Sequence, residues 1–152
     1  MSDHETTNRC GVGIRGVAMG IDSAVWFLLF IVALTIVGVA TGQAETTASG
    51  LDTDLEGTPA AMGLALWLGL SIGYHTLLEW RFGKTIGKAL VRIQVVRADG
   101  SPASFGASLT RNLLRLVDWL PAFYLVGILA LALSEKRSRL GDRAAGTAVV
   151  RV

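Results

Sequence analysis

The sequence predicts an all-α helical membrane protein: two full transmembrane helices, a broken third helical region that is re-entrant or interfacial, and a small cytoplasmic two-stranded β element. Three observations predict it. Residues 23–40 are eighteen consecutive positions without a charge and residues 60–78 are nineteen more, each close to the ~20 apolar residues that cross a bilayer core. Basic residues crowd the stretch after the second run, which marks it as cytoplasmic. Within that stretch Val91, Ile93 and Val95 alternate with Arg92, Gln94 and Val96, the period of a half-buried strand.

Bulk composition alone says less. The 152 residues are 51% hydrophobic, only slightly above a soluble domain. A mean hydropathy of +0.51, together with the clustering of the charges, excludes a single soluble domain. Fourteen basic against twelve acidic residues leave a net charge of +2 and form no nucleic-acid-binding stripe. The expected partners are the lipid bilayer, anionic lipid head groups and further copies of the chain, with no nucleic acid. The lone Cys10 excludes an internal disulfide, lacks the preceding apolar run of a lipid-attachment site and is read as inert.

Residues 1–14 are read as a cytoplasmic tail and 15–152 as one membrane domain. Asp3 and Glu5 interrupt the pattern of a cleaved signal, so the first apolar segment is expected to be retained. Helix one, 16–41, at ~1.5 Å per residue exceeds the ~30 Å it must cross and can tilt. The outer loop, 42–59, holds Glu45, Asp52, Asp54 and Glu56 without a lysine or arginine and reads as exposed and flexible. Pro59 suits the first turn of helix two, 60–80.

The cytoplasmic strand region, 81–103, contains the alternating run and an Asp99-Gly100 turn. The final strand, Thr147 to Val152, is rich in β-branched residues, and since a lone strand leaves its ladder groups unpaired, each strand is the other's economical partner. The region 105–133 is divided by Pro121 into halves of about 20 Å each, too short to cross. A bent pair returning to the cytoplasm is favoured, with a single kinked span as the competing reading. The basic tail, 134–152, keeps the C-terminus inside.

Charges in or beside the apolar runs carry the functional argument, because an ionisable group in hydrocarbon costs at least ~2.5 kcal/mol and requires a partner or a cavity. Asp22 lies seven positions after Arg15 on the same face of helix one. Counting along an antiparallel helix two places His75 at the depth of Asp22 and Glu79 at the depth of Arg15. The expected pairs are therefore Asp22 with His75 and Arg15 with Glu79. They read either as locks on the helix hairpin or, for the first pair, as a protonatable dyad on a pathway.

Ser104, Ser108, Arg111, Asn112, Arg115 and Asp118 form a polar stripe at helical spacing opposite Leu109, Leu113, Leu116 and Leu120. The stripe either lies wet at the inner interface or lines a polar cavity, and Arg111 and Arg115 suit a phosphate or carboxylate in both cases. Gly16/Gly20, Gly38/Gly42 and Gly69/Gly73 permit close helix contact, within the chain or between chains. Gly11-Val12-Gly13-Ile14-Arg15-Gly16 has the letters of a dinucleotide fingerprint but follows no strand. Gly83-Lys84-Thr85 ends like a phosphate loop, yet Leu78 occupies the position of its first glycine. With two histidines and no base placed beside a serine or cysteine, no metal site, cofactor or catalytic residue is expected, and the chain is not read as an enzyme.

Several linked motifs also resemble a known family. Arg15-x-x-Ala18-x-x-x-Asp22 opens the first membrane helix, and Lys84-Thr85-Ile86-Gly87-Lys88 leads into Val91-Arg92-Ile93-Gln94-Val95-Val96. Arg111-Asn112 follows, and Arg139-Leu140-Gly141-Asp142 with Gly146-Thr147 closes the chain. Over residues 12–152 this is similar to the RDD family of small membrane proteins. The resemblance implies a helical membrane module named for one arginine and two aspartates, carried onto Arg15, Asp22 and Asp142, with Asp118 the alternative to Asp142. It singles out Thr85, Gly87 and Lys88 as a cytoplasmic motif and implies transport.

The leading expectation is thus a small-solute or ion transport component, proton- or cation-coupled, in which Asp22 changes charge. The alternative is a membrane adaptor that holds a partner protein or anionic lipid at its cytoplasmic face. Asp142 is expected to act locally, capping the backbone N–H groups of Arg143 to Ala145 in a water-accessible turn.

Overall fold

The computed structural model describes residues 10–118 and 140–152. In chain order its elements are α1 (Val12–Thr41), β1 (Ala44–Thr47), β2 (Gly50–Thr53), α2 (Gly57–Phe82), α3 (Ile86–Leu90), β3 (Ile93–Arg97), α4 (Phe105–Asp118), α5 (Leu140–Ala144) and β4 (Thr147–Arg151). The chain is mostly helical. Two helices, α1 and α2, are long and apolar enough to cross a membrane, and two small antiparallel sheets accompany them. Both long helices outrun their predicted bounds, α1 beginning at Val12 and α2 running from Gly57 to Phe82. The predicted break at Pro121 and residues 134–139 of the basic tail lie outside the described residues.

The described chain forms two compact units, one of residues 23–73 and one of residues 10–22, 74–118 and 140–152. In the first, α1 ends on Gly42 at φ 73, with the Gln43 N–H on the Gly38 carbonyl at 2.8 Å. This is the left-handed helix cap that a glycine accepts without Cβ strain. The segment read as a flexible loop instead carries a hairpin, β1 with β2, in register Ala44↔Thr53 to Thr47↔Gly50. Its threonines support the strands, whereas its acids and exposure had argued for a loop. The hairpin folds onto the helix: a Cβ on Gly38 would collide with the Thr53 methyl, and one on Gly63 would stand 3.1 Å from both Leu34 and Leu55. Trp67 fixes the pair of helices by donating its indole N–H to the Trp26 carbonyl at 3.0 Å, and Trp26 and Phe30 pack edge-on against its ring.

In the second unit β3 and β4 pair with each other as expected, and the pairing is antiparallel, with Ile93↔Arg151, Val95↔Val149 and Arg97↔Thr147 opposite one another. Ile93, Val95 and Val149 are fully buried beside Ala18 and Cys10, and the Cys10 N–H extends the sheet by reaching the Val149 carbonyl at 3.0 Å. Burial pushes the Cys10 thiol up from its ordinary value, away from the reactive thiolate. The Asp99-Gly100 turn forms as read: Gly100 sits at φ 82 and Asp99 accepts the Ser101 N–H at 2.9 Å. Two short helices were not read from the sequence. Thr85 caps α3 by accepting the Lys88 N–H, and α5 occupies part of the segment read as tail.

The second unit reverses the burial order of a water-soluble domain. Arg15, Asp22, His75, Glu79, Lys88, Ser108, Asn112 and Asp142 are buried, while Val17, Leu77, Phe82, Ile86, Leu90 and Leu113 are exposed. In α4 Ser108, Arg111, Asn112 and Arg115 of the predicted polar stripe face inward, Ser104 is exposed, and the apolar side, with Phe105 and Leu113, faces out. Exposed apolar and buried charged side chains on one helix are the unfavourable arrangement in water.

Candidate functional site

Helix α1 brings Arg15 and Asp22 to one face because seven residues are close to two turns. The side chain of Asp22, 1% exposed, accepts three hydrogen bonds: from Thr85 Oγ1 at 2.6 Å, from the Gly87 N–H at 2.9 Å and from the Tyr74 hydroxyl at 3.0 Å. Tyr74 in turn accepts the Ile86 N–H at 3.1 Å. The motif around Thr85 is therefore a cradle. Thr85 caps α3 and donates to the carboxylate, and Gly87 leaves space, since a Cβ there would collide with the Ala18 carbonyl and reach the Asp22 carboxyl at 2.9 Å. The expected Asp22–His75 pair is not formed.

Glu79, fully buried, takes Lys88 Nζ as an ion-pair partner, Arg111 Nε at 3.1 Å and Asn112 Nδ2 at 3.3 Å. The expected partner Arg15 goes elsewhere, donating from Nη1 to Asp142 Oδ2 at 2.9 Å. Arg111 Nη1 holds the other Asp142 oxygen. Depth counting on two helices gives height along the bundle but neither azimuth nor the charges that later elements bring in. Lys88 and Arg111 reach Glu79 from α3 and α4, and Asp142 reaches Arg15 from α5.

Asp142 is accordingly not a solvated turn residue. It is 2% exposed and lies within the first turn of α5 rather than ahead of it. Arg111 is the hub, joining Glu79 to Asp142 and reaching Thr147 Oγ1 at 3.5 Å. His75 meets Arg115, with Nδ1 3.2 Å from Nη1. A guanidinium only donates, so Nδ1 accepts and the imidazole is neutral. The side chain of Asp118 lies outside the description.

These groups enclose a cavity of about 30 Å³ whose charged lining is Arg15, Asp22, Lys88, Arg111, Arg115 and Asp142, with Ala18, Ile93 and Val149 as apolar wall. Burial holds Lys88 down to about 8 from its ordinary 10.5, against the opposing pull of Glu79. Among the described residues no three His, Cys, Asp or Glu side chains gather as a metal site. Tyr74 carries no sequence signal because it sits in an uncharged run beside the more conspicuous His75 and its hydroxyl has no periodic signature. The polar stripe already held Asn112.

The RDD family model matches residues 9–146. Two proteins named proline-rich antigen homolog, from Mycobacterium tuberculosis strains CDC 1551 / Oshkosh and ATCC 25618 / H37Rv, are each 34% identical over 101 residues, covering 60% of this chain and 41% of theirs. The match thus spans less than half the length of these curated relatives. No solved structure matches.

Proposed function

This chain belongs to the RDD family, and we propose that it is a multi-pass protein of the cell membrane, with both termini cytoplasmic, that serves as a small transport component for an ion or small solute. The observation that carries the reading is the reversed burial of the second unit. Leu77, Phe82, Ile86, Leu90 and Leu113 face outward while a cluster of charges surrounds a cavity within. Lipid outside and a polar site inside turn that arrangement from a cost into a gain, and ionisable groups enclosed beside membrane helices mark solute pathways. In this reading the chain catalyses no covalent step. Coupling to a proton passes to Lys88, which loses its proton near pH 8, while Asp22 with its three donors serves as a fixed anchor.

That saturation of Asp22 also favours a second reading, a non-transporting adaptor that presents its sheet and basic segment to a partner protein or to anionic lipid. Flux in reconstituted vesicles separates the two. Transport by the wild type that persists in part in Asp22→Asn and collapses in Lys88→Met is expected. Absence of flux from all three proteins would favour the adaptor.

A further inference from the structure

We propose that the outer face of α3, with the end of α2 and the start of α4, is an anchor that beds into the head-group layer of an anionic membrane leaflet. Trp80, Phe82, Ile86, Leu90 and Phe105 enter the lipid, and Arg81, Lys84 and Arg92 take its phosphates. The inference rests on reading the chain as a membrane protein, and adds where this face lies and which lipid it selects.

Helix α3 has two unlike sides. Thr85, Gly87 and Lys88 are buried and hold Asp22 and Glu79, whereas Ile86 and Leu90 are 50% and 67% exposed. This open apolar surface follows directly on a candidate span, since Leu77, Trp80 and Phe82 on the last turns of α2 are exposed as well. At 26 residues α2 is longer than the ~20 that cross the hydrocarbon, so its end turns fall in the head-group layers. Tryptophan at the end of a span marks that layer. Trp80 sits there and meets Phe105 edge-on, ring centroids 5.5 Å apart, which brings the first turn of α4 to the same depth.

Cations are threaded among these apolar side chains. Arg81 and Arg92 are exposed and Lys84 is half-buried, and the Arg81 guanidinium lies 5.7 Å from the centre of the Phe82 ring. Among the described residues none of the three is joined to an acid. A protein interface gathers apolar side chains at its centre and leaves charge to the rim. Here each cation stands beside an apolar side chain, which suits a layer where acyl chains and phosphates adjoin. Long basic side chains reach from an apolar surface to those phosphates, and a cation beside an anionic leaflet is drawn to it.

The test uses the full chain, with Cys10 replaced by serine, in nanodiscs of phosphatidylcholine and phosphatidylglycerol. A nitroxide attached at Leu90→Cys, and separately at Ile86→Cys, should be relaxed more by oxygen, which gathers in the acyl region, than by a water-soluble nickel chelate. If one labelled variant fails to fold, the other decides. A nitroxide at Leu64→Cys within α2 reports on the membrane reading by itself. Immersion at Leu64 with water exposure on α3 would overturn the anchor, leave the face to a protein partner and keep the span. Water exposure at every position would remove the membrane reading and the anchor with it. For the charges, native mass spectrometry of the unaltered chain should find phosphatidylglycerol enriched among retained lipids about fivefold over its share of the bilayer, the worth of one surface cation on an anionic leaflet. The combined change Arg81→Gln, Lys84→Gln and Arg92→Gln, with an intact melting transition, should bring that ratio down toward the bulk share. If the combined variant fails to fold, Arg81→Gln alone is read in its place. No enrichment in the unaltered chain, or the same enrichment in the folded variant, would overturn the selection of anionic lipid by this face.

Discussion

Single residues in this cluster cannot be exchanged for look-alikes, because each answers two partners. Asp142 pairs with Arg15 through one carboxylate oxygen and with Arg111 through the other. Asp142→Asn keeps the shape and a hydrogen-bonding capacity but leaves two buried guanidinium groups facing an amide, and breaking a buried pair on one side costs about 3–5 kcal/mol. The melting temperature in detergent should therefore fall as far in Asp142→Asn as in Asp142→Ala. Tolerance of asparagine would restore the capping role expected for a solvated turn. Lys88 allows a test by pH. Its folded pKa of about 8 lies below the ordinary 10.5, so between those values the unfolded chain holds more protons and this residue makes stability rise with pH. Lys88→Met should remove that slope from the melting temperature measured from pH 7 to pH 10, and an unchanged slope would assign the titration to another group.

At the scale of elements, α3 is five residues long and owes its place to docking rather than to its own propensity. Thr85 and the Gly87 N–H clasp the Asp22 carboxylate, and Gly87 lies close enough to the Ala18 carbonyl that no side chain fits. Gly87→Ala should cost about 1–3 kcal/mol through overpacking, visible as a lowered melting temperature and faster hydrogen exchange of the Gly87 and Lys88 amides. Wild-type values for both would mean that α3 is held by something else. Helix α4 teaches a complementary lesson. Its amphipathic stripe was legible from Ser108, Arg111, Asn112 and Arg115, but periodicity names two faces without saying which is inside. The charges waiting on α2 and α5 turned the polar face inward.

For the whole molecule, the proposed topology places the β1–β2 hairpin outside and β4 inside. With Cys10 replaced by serine, a cysteine at Ser49 should react with a membrane-impermeant maleimide on intact cells, and one at Val152 only after permeabilisation. Labelling of both from outside would remove the proposed orientation. Reversed burial makes a further demand, since Leu77, Phe82, Ile86, Leu90 and Leu113 together expose an apolar surface that water does not tolerate. The protein should accordingly precipitate on removal of detergent and stay dispersed in nanodiscs, while solubility without either would contradict the membrane assignment.

The sequence by itself determined the two apolar helices, the Asp99-Gly100 turn and the amphipathic α4, because these rest on uncharged length, turn chemistry and period, which are local properties, and the pairing of β3 with β4, because each strand's ladder groups need a partner. It also marked Arg15, Asp22 and Glu79, which stand beside apolar runs, and Arg111 and Arg115 on the polar stripe, whereas Lys88 and Asp142 were read as lying in water and are buried. What only the tertiary structure decided was who pairs with whom. Asp22 belongs to Thr85, Gly87 and Tyr74, Glu79 to Lys88 and Arg111, and Asp142 to Arg15 and Arg111, across sequence separations of up to 127 residues. Those choices depend on the azimuth of each helix and on short elements docked by other elements. Charge pairing has no period: any buried acid is content with any buried base, and only the packed backbone selects among them.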